Sequence, residues 1–123
     1  MSEHNEQAAL FQWAETLQGQ IPQLKMLYAI PNGGHRHKAV AAKLKTEGVK
    51  AGVLDVNLDV PKTPFHGLRI EMKFGKNKLS DNQIVWVDRY IENGYSVIVC
   101  YSWQDAAKGI LTYLGEPQEG RLL

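Results

Sequence analysis

The sequence predicts an α/β domain in which helices flank a small mixed β-sheet. Three observations lead there. Residues 54–60 and 68–74 alternate between apolar and polar side chains, Leu10, Trp13, Ala14 and Leu17 recur at helical spacing, and Ser80-Asp81-Asn82-Gln83 has the form of a capping box.

The first helix is expected over residues 3–18. Glu6 lies four residues before Leu10 and seven before Trp13, so its carboxylate turns toward the protein at the end of the buried stripe. Pro31-Asn32-Gly33-Gly34 is turn-prone and leads into a second helix over residues 37–47, which Gly48 stops. The loop lacks the GxxxxGK[ST] spacing of a phosphate-binding P-loop. In the first alternating strand Leu54, Val56, Leu58 and Val60 form the apolar side, and Asp55, Asn57 and Asp59 lie between them. In the second, Leu68, Ile70, Met72 and Phe74 oppose Arg69, Glu71 and Lys73. The connection from Pro61 to Gly67 holds two prolines and a glycine, which makes a hairpin the simplest link. The Ser80 helix runs to about Asn93 with Gly94 beyond it, Tyr95 to Tyr101 reads as a buried strand, and Ser102 caps a last helix to about Leu114. The expected order is α, α, β, β, α, β, α, with Glu116 to Gly120 as a loose tail.

A chain of 123 residues is read as a single domain, 1–123, able to bury a real core. Its 44% apolar and 22% charged residues argue against long disorder. The single Cys100 excludes a disulfide framework and a thiolate zinc cluster, and points to a reducing compartment. The polar start SEHNEQ is no signal peptide, and no apolar run approaches the roughly 20 residues of a membrane span, so a cytoplasmic location without membrane contact is expected. The net charge of +1 is unevenly spread: residues 35–50 carry Arg36, Lys38, Lys43, Lys45 and Lys50 against Glu47 alone. Such a segment is either a solvated helix face or a surface that meets phosphates. His35 and His37 flank Arg36 with no Cys or Asp nearby, and suit phosphate contacts better than a metal. Trp13, Trp86 and Trp103 fall on helix stripes and are read as core.

Strand register carries the chemistry. A hairpin centred near residue 63 puts Asp55 opposite Glu71; one centred near 64 puts Asp55 opposite Lys73 and diagonal to Glu71. Either choice gathers two carboxylates and an ammonium on one polar face, since opposed Cβ atoms are about 5 Å apart and diagonal ones about 7–8 Å. Paired carboxylates repel and favour either a shared proton or a compensating cation. Magnesium takes one or two carboxylates together with water and phosphate oxygens, and so fits a phosphodiester hydrolase. Lys73 is placed to orient or deprotonate the attacking water and to offset developing charge. The plainer alternative is a pair of cross-strand ion pairs, Asp59 with Arg69 and Asp55 with Lys73, on a solvated face.

These segments resemble the VRR-NUC domain, a branch of the PD-(D/E)xK nuclease superfamily found alone in phages and bacteria and at the C-terminus of the Fanconi-associated nuclease. The resemblance runs nearly end to end through Glu6-Gln7, Ile30 to Gly34, Lys45 to Gly48, Gly52 to Val56, Gly67 to Lys73, Leu79 to Gln83 and Gly94-Tyr95. It implies a restriction-endonuclease-like core with Asp55 and Glu71 as acidic metal ligands, Lys73 as the catalytic lysine, and Gln83 beside the active site. It further implies the Met72 backbone carbonyl as a metal ligand and Glu6 as the helix-borne ligand, with Glu3 in the same turn as the alternative. Where the family usually has Pro-Asp, this chain has Leu54-Asp55; an apolar residue there keeps the alternation.

The activity implied is magnesium- or manganese-dependent, structure-specific DNA cleavage in a bacterial or phage-infected cell. A lone unit of this size is expected to act as a homodimer that resolves four-way (Holliday) junctions, with flap or nicking cleavage and a silent DNA-binding module as alternatives. Asn32, His35, Arg36, Lys38, Lys43 and Lys45 are the expected DNA contacts.

Overall fold

The computed structural model describes residues 2–31 and 37–122. Among these, the helices are α1 (Glu3–Leu17), α2 (Lys38–Thr46), α3 (Asp81–Glu92) and α4 (Trp103–Leu114), and the strands are β1 (Leu27–Ala29), β2 (Val56–Leu58), β3 (Leu68–Met72) and β4 (Ser96–Cys100). The sheet runs β1-β2-β3-β4. β1 and β3 lie antiparallel to β2, whereas β4 is parallel to β3 and is reached through α3. The expected mixed sheet, the hairpin and the helix starts are all present.

One face of the sheet is apolar. Val56, Leu58, Leu68, Ile70 and Met72 project onto Leu10, Trp13 and Leu17 of α1 and onto Ala107, Ile110 and Leu111 of α4. Leu10, Ile70 and Ile110 are fully buried there, and cutting any of them back to alanine costs about 2–5 kcal/mol. The other face carries the polar alternates and is crossed by α3. That helix starts at the Ser80 capping box, with both reciprocal bonds formed, while Ser102 caps α4 through the Asp105 N–H.

Four expectations need correction. A short 3-10 turn (Pro22–Met26) and β1 add an edge strand between the first two helices. The regular strands are shorter than the alternating segments, and Phe74, expected on the apolar side, is exposed because the chain leaves the sheet after Met72. The polar face is not a solvated one: Asn57, Arg69, Glu71 and Lys73 are buried. Nor is residue range 116–120 followed by a free end, since the Arg121 carbonyl accepts the Trp13 indole N–H and its guanidinium pairs with Glu116 at 2.9 Å. Asn32, His35 and Arg36 lie outside the described residues.

Candidate active site

The two acids are positioned by strand pairing. Val56 stands opposite Ile70 with both side chains in the core, so Asp55 and Glu71, one step away on each strand, turn to the other face. This is the first of the two expected registers. Asp55 is held twice: its main-chain carbonyl accepts the Ile30 N–H at 2.7 Å, and its Oδ2 accepts the Met72 N–H at 3.0 Å. Glu71 lies on β3, which has a neighbour on either side, and is 1% exposed.

The carboxyl groups of Asp55 and Glu71 meet, and the Lys73 Nζ stands 3.7 Å from Glu71 Oε2. Burial first, and then the charge of Asp55, push Glu71 up to about 8, with Lys73 opposing the shift. Burial also raises Asp55, against the opposing bond from Met72. Two acids in this setting hold a proton unless a cation replaces it. Glu71 Oε1 is buried and meets no N–H or O–H donor of another residue, so only a proton shared with Asp55 or a cation can satisfy it. Among the described residues no three Asp, Glu, His or Cys side chains form a ready ligand set. The residues present nonetheless fit a hard divalent ion that binds one or two carboxylates and completes its shell with water and phosphate oxygens.

Gln83 reaches the same site from α3. Its Nε2 donates to Glu71 Oε2 at 2.8 Å, while its Oε1 accepts the Ser80 N–H at 2.9 Å. One side chain thus closes the capping box and orients a buried acid. The segment before Asp55 is tied to the same helix: a Cβ on Gly52, whose φ is +87°, would lie 2.5 Å from the Asn82 main chain.

Of the helix-borne acids, Glu6 is buried as expected, but its Oε1 accepts the Trp103 N–H at the start of α4. Glu3 lies near enough to Asp55 for its charge to add to the upward shift there, and its Oε2 accepts from Asn77. The spacing rule that singled out Glu6 measures alignment with the core stripe. Proximity to Asp55 depends on where the start of α1 meets the sheet.

The remaining polar alternates form a supporting network. Arg69 pairs with Asp59 at 2.9 Å, as the ion-pair alternative anticipated, and lies under the rings of Tyr90 and Tyr95. The other anticipated pair is replaced, because Lys73 turns to Glu71 and Asp55 takes a backbone N–H. Lys38, Lys43 and Lys45 are exposed on α2, a helix that buries no side chain.

The VRR-NUC domain profile matches residues 1–104. The chain belongs to the VRR-NUC domain family. A solved structure described as a VRR_NUC domain protein superposes with a TM-score of 0.80 at 26% identity, covering 94% of this chain and 89% of that one. No curated protein matches. The VRR-NUC family gives this chain a nuclease-type, DNA-processing function. Leu54, where the family usually carries proline, is fully buried. No helix among the described residues is long and apolar enough to cross a membrane.

Proposed function

We propose that this VRR-NUC protein is a magnesium- or manganese-dependent endonuclease that hydrolyses phosphodiester bonds in branched DNA, resolving four-way junctions as a homodimer. The observation that carries the reading is the buried Asp55–Glu71 pair with Lys73 beside it. Asp55, Glu71 and the Met72 carbonyl are the ligands proposed, together with a helix-borne acid: Glu6, whose Oε2 is buried without a hydrogen-bond partner, or Glu3, whose charge acts on Asp55.

A bound divalent ion supplies Lewis acidity toward the scissile phosphate and activates water at neutral pH. The protein's own groups do the rest. Met72 holds Asp55, and Gln83 holds Glu71, so both acids are oriented before DNA arrives. Lys73 lends its ammonium to the charge that grows on the phosphoryl oxygens and orients the incoming water. Lys38, Lys43 and Lys45 of α2 meet phosphates without reading sequence, and Asn32, His35 and Arg36 belong to the same proposed surface. Two active sites related by a two-fold axis match the two strands cut in a symmetric junction. α3 exposes Ile84 (45%) and Ile91 (58%) one above the other, a surface suited to a second copy.

The test is cleavage of end-labelled four-way junction, flap and linear duplex, with manganese, magnesium or EDTA. The proposal expects junction cutting that needs either ion and disappears in Asp55→Ala while DNA binding persists. Equal cutting of all three substrates removes junction resolution and leaves the nuclease. Binding without cutting by wild type and variant alike leaves a silent DNA-binding module.

A further inference from the structure

Along the helix that carries Gln83, a groove of about 620 Å³ runs between α2, the segment 49–51 and α3. Its volume lies within the roughly 300–1,000 Å³ of ordinary ligand clefts. Lys45, Lys50 and Arg89 line it together with Trp86, Val85 and Asn82, and no acidic side chain does so among the described residues. Helical geometry explains the selection. At about 100° per residue, positions 82, 85, 86 and 89 share one face of α3, Gln83 and Tyr90 face the sheet, and Ile84 and Ile91 face away. The groove therefore begins one residue from Gln83 and follows α3 for about 10 Å, at 1.5 Å per residue.

Trp86 is fixed in this wall. Its indole N–H donates to the Ala51 carbonyl at 3.1 Å, and the Arg89 guanidinium lies 4.9 Å from its ring centroid. The ring is half-buried, with Tyr90 tilted against it at 5.6 Å and the Arg89 guanidinium over it, while Lys45, Lys50 and Arg89 are exposed. An indole carrying an exposed guanidinium, with two lysines beside it, has the composition of a single-strand nucleic-acid site, where planar groups stack on bases and cations follow the backbone. A purely apolar partner would leave three cations facing it.

We infer that the α2–α3 groove binds unpaired nucleotides of the DNA strand adjoining the active site, with Trp86 as the base-stacking surface and Lys45, Lys50 and Arg89 as the phosphate contacts. The inference rests on the DNA-nuclease reading for the identity of the strand. It also assigns a function to Trp86, which its place on a helix stripe had marked as core.

The test compares a blunt duplex with the same duplex carrying a short oligothymidine tail, bound to the full chain in EDTA and followed by fluorescence anisotropy. For wild type the tail tightens binding by roughly tenfold, the scale of one stacked base with its phosphate. Trp86→Leu and Arg89→Gln each remove most of that gain and leave blunt-duplex affinity nearly unchanged. Trp86→Phe keeps the gain, because it retains a ring although it loses the bond to Ala51. A tail effect absent in wild type, unchanged in Trp86→Leu, or lost equally in Trp86→Phe overturns the inference. If Trp86→Leu fails to fold, Lys50→Gln takes its place, and an unchanged tail effect there overturns it too. Wild type that cuts DNA with manganese yet ignores the tail refutes the groove alone. Wild type that prefers the tail but cuts nothing supports the groove and removes the nuclease reading.

Discussion

Gln83 donates to Glu71 across 2.8 Å while it accepts the Ser80 N–H, so the start of α3 and the orientation of a buried acid share one side chain. The two duties separate by substitution. Ser80→Ala removes a cap, costs about 0.5–2 kcal/mol and leaves the amide on Glu71. Gln83→Ala loses a comparable stability and, in addition, slows DNA cleavage by about tenfold or more, since the buried acid is no longer oriented. Thermal melts and single-turnover rates on both variants check this; equal rates would mean that Gln83 serves the helix only.

Lys73 stands beside Glu71 with its side chain almost buried. Lys73→Met keeps most of its volume and lowers the single-turnover rate by about 10²–10⁴-fold, while DNA affinity in EDTA stays nearly constant. A variant that cuts at the wild-type rate would assign Lys73 to charge balance in the folded protein.

Stability should respond to pH in a direction opposite to that of most carboxylates. Glu71 is raised from its ordinary 4.5 to about 8, and Asp55 is raised as well. Between those values the folded, metal-free protein keeps a proton that the unfolded chain has released, so stability is greatest at the acid end and is lost as pH climbs toward about 8. Melting in EDTA is expected at steadily lower temperature across that interval, and Glu71→Gln flattens the dependence. A rising or level profile would contradict the acid pair described here.

Manganese is expected to reverse that trend, since an ion held by the acid pair would displace the proton and bind more tightly as pH rises. At 100 times its Kd it adds about 2.7 kcal/mol. If Glu3 is the helix-borne ligand, Glu3→Gln weakens manganese affinity by calorimetry with little change in the metal-free melt. Glu6→Ala does the opposite, costing about 1–3 kcal/mol because the Trp103 N–H loses its buried acceptor, with affinity retained. The reverse outcome would assign the ligand to Glu6.

Exposed lysines on α2 make a separable electrostatic contribution. Replacing Lys38 and Lys43 by alanine should reduce the slope of log affinity against log salt by up to about 2, close to 0.9 for each phosphate no longer neutralised, for every DNA substrate alike. An unchanged slope would place the phosphates elsewhere.

Much of this was legible in the sequence because alternation and register are tightly linked. Val56 and Ile70 had to enter the core, and that requirement alone turned Asp55 and Glu71 to a common face. Ser80, Gln83 and Ser102 announced helix starts through side chains that bond to nearby backbone, a local interaction. β1 was not legible, since its three residues are defined by pairing with β2 and show no alternation of their own. A faint signal lay in Ile21, Leu24 and Leu27, buried at intervals of three along and beyond the 3-10 turn. The nearness of Glu3 to Asp55 was hidden for a related reason, because it depends on how α1 lies against strands far away in sequence.

At residue 52 a lone hydrogen is the largest substituent the backbone of Asn82 tolerates. The strand end bearing one acid and the helix turn whose glutamine steadies the other therefore touch main chain to main chain, with no flexible side chain between them. Their spacing is a rigid dimension of the nuclease: substitution at this position has no gradual setting, and can only keep the two walls in contact or force them apart.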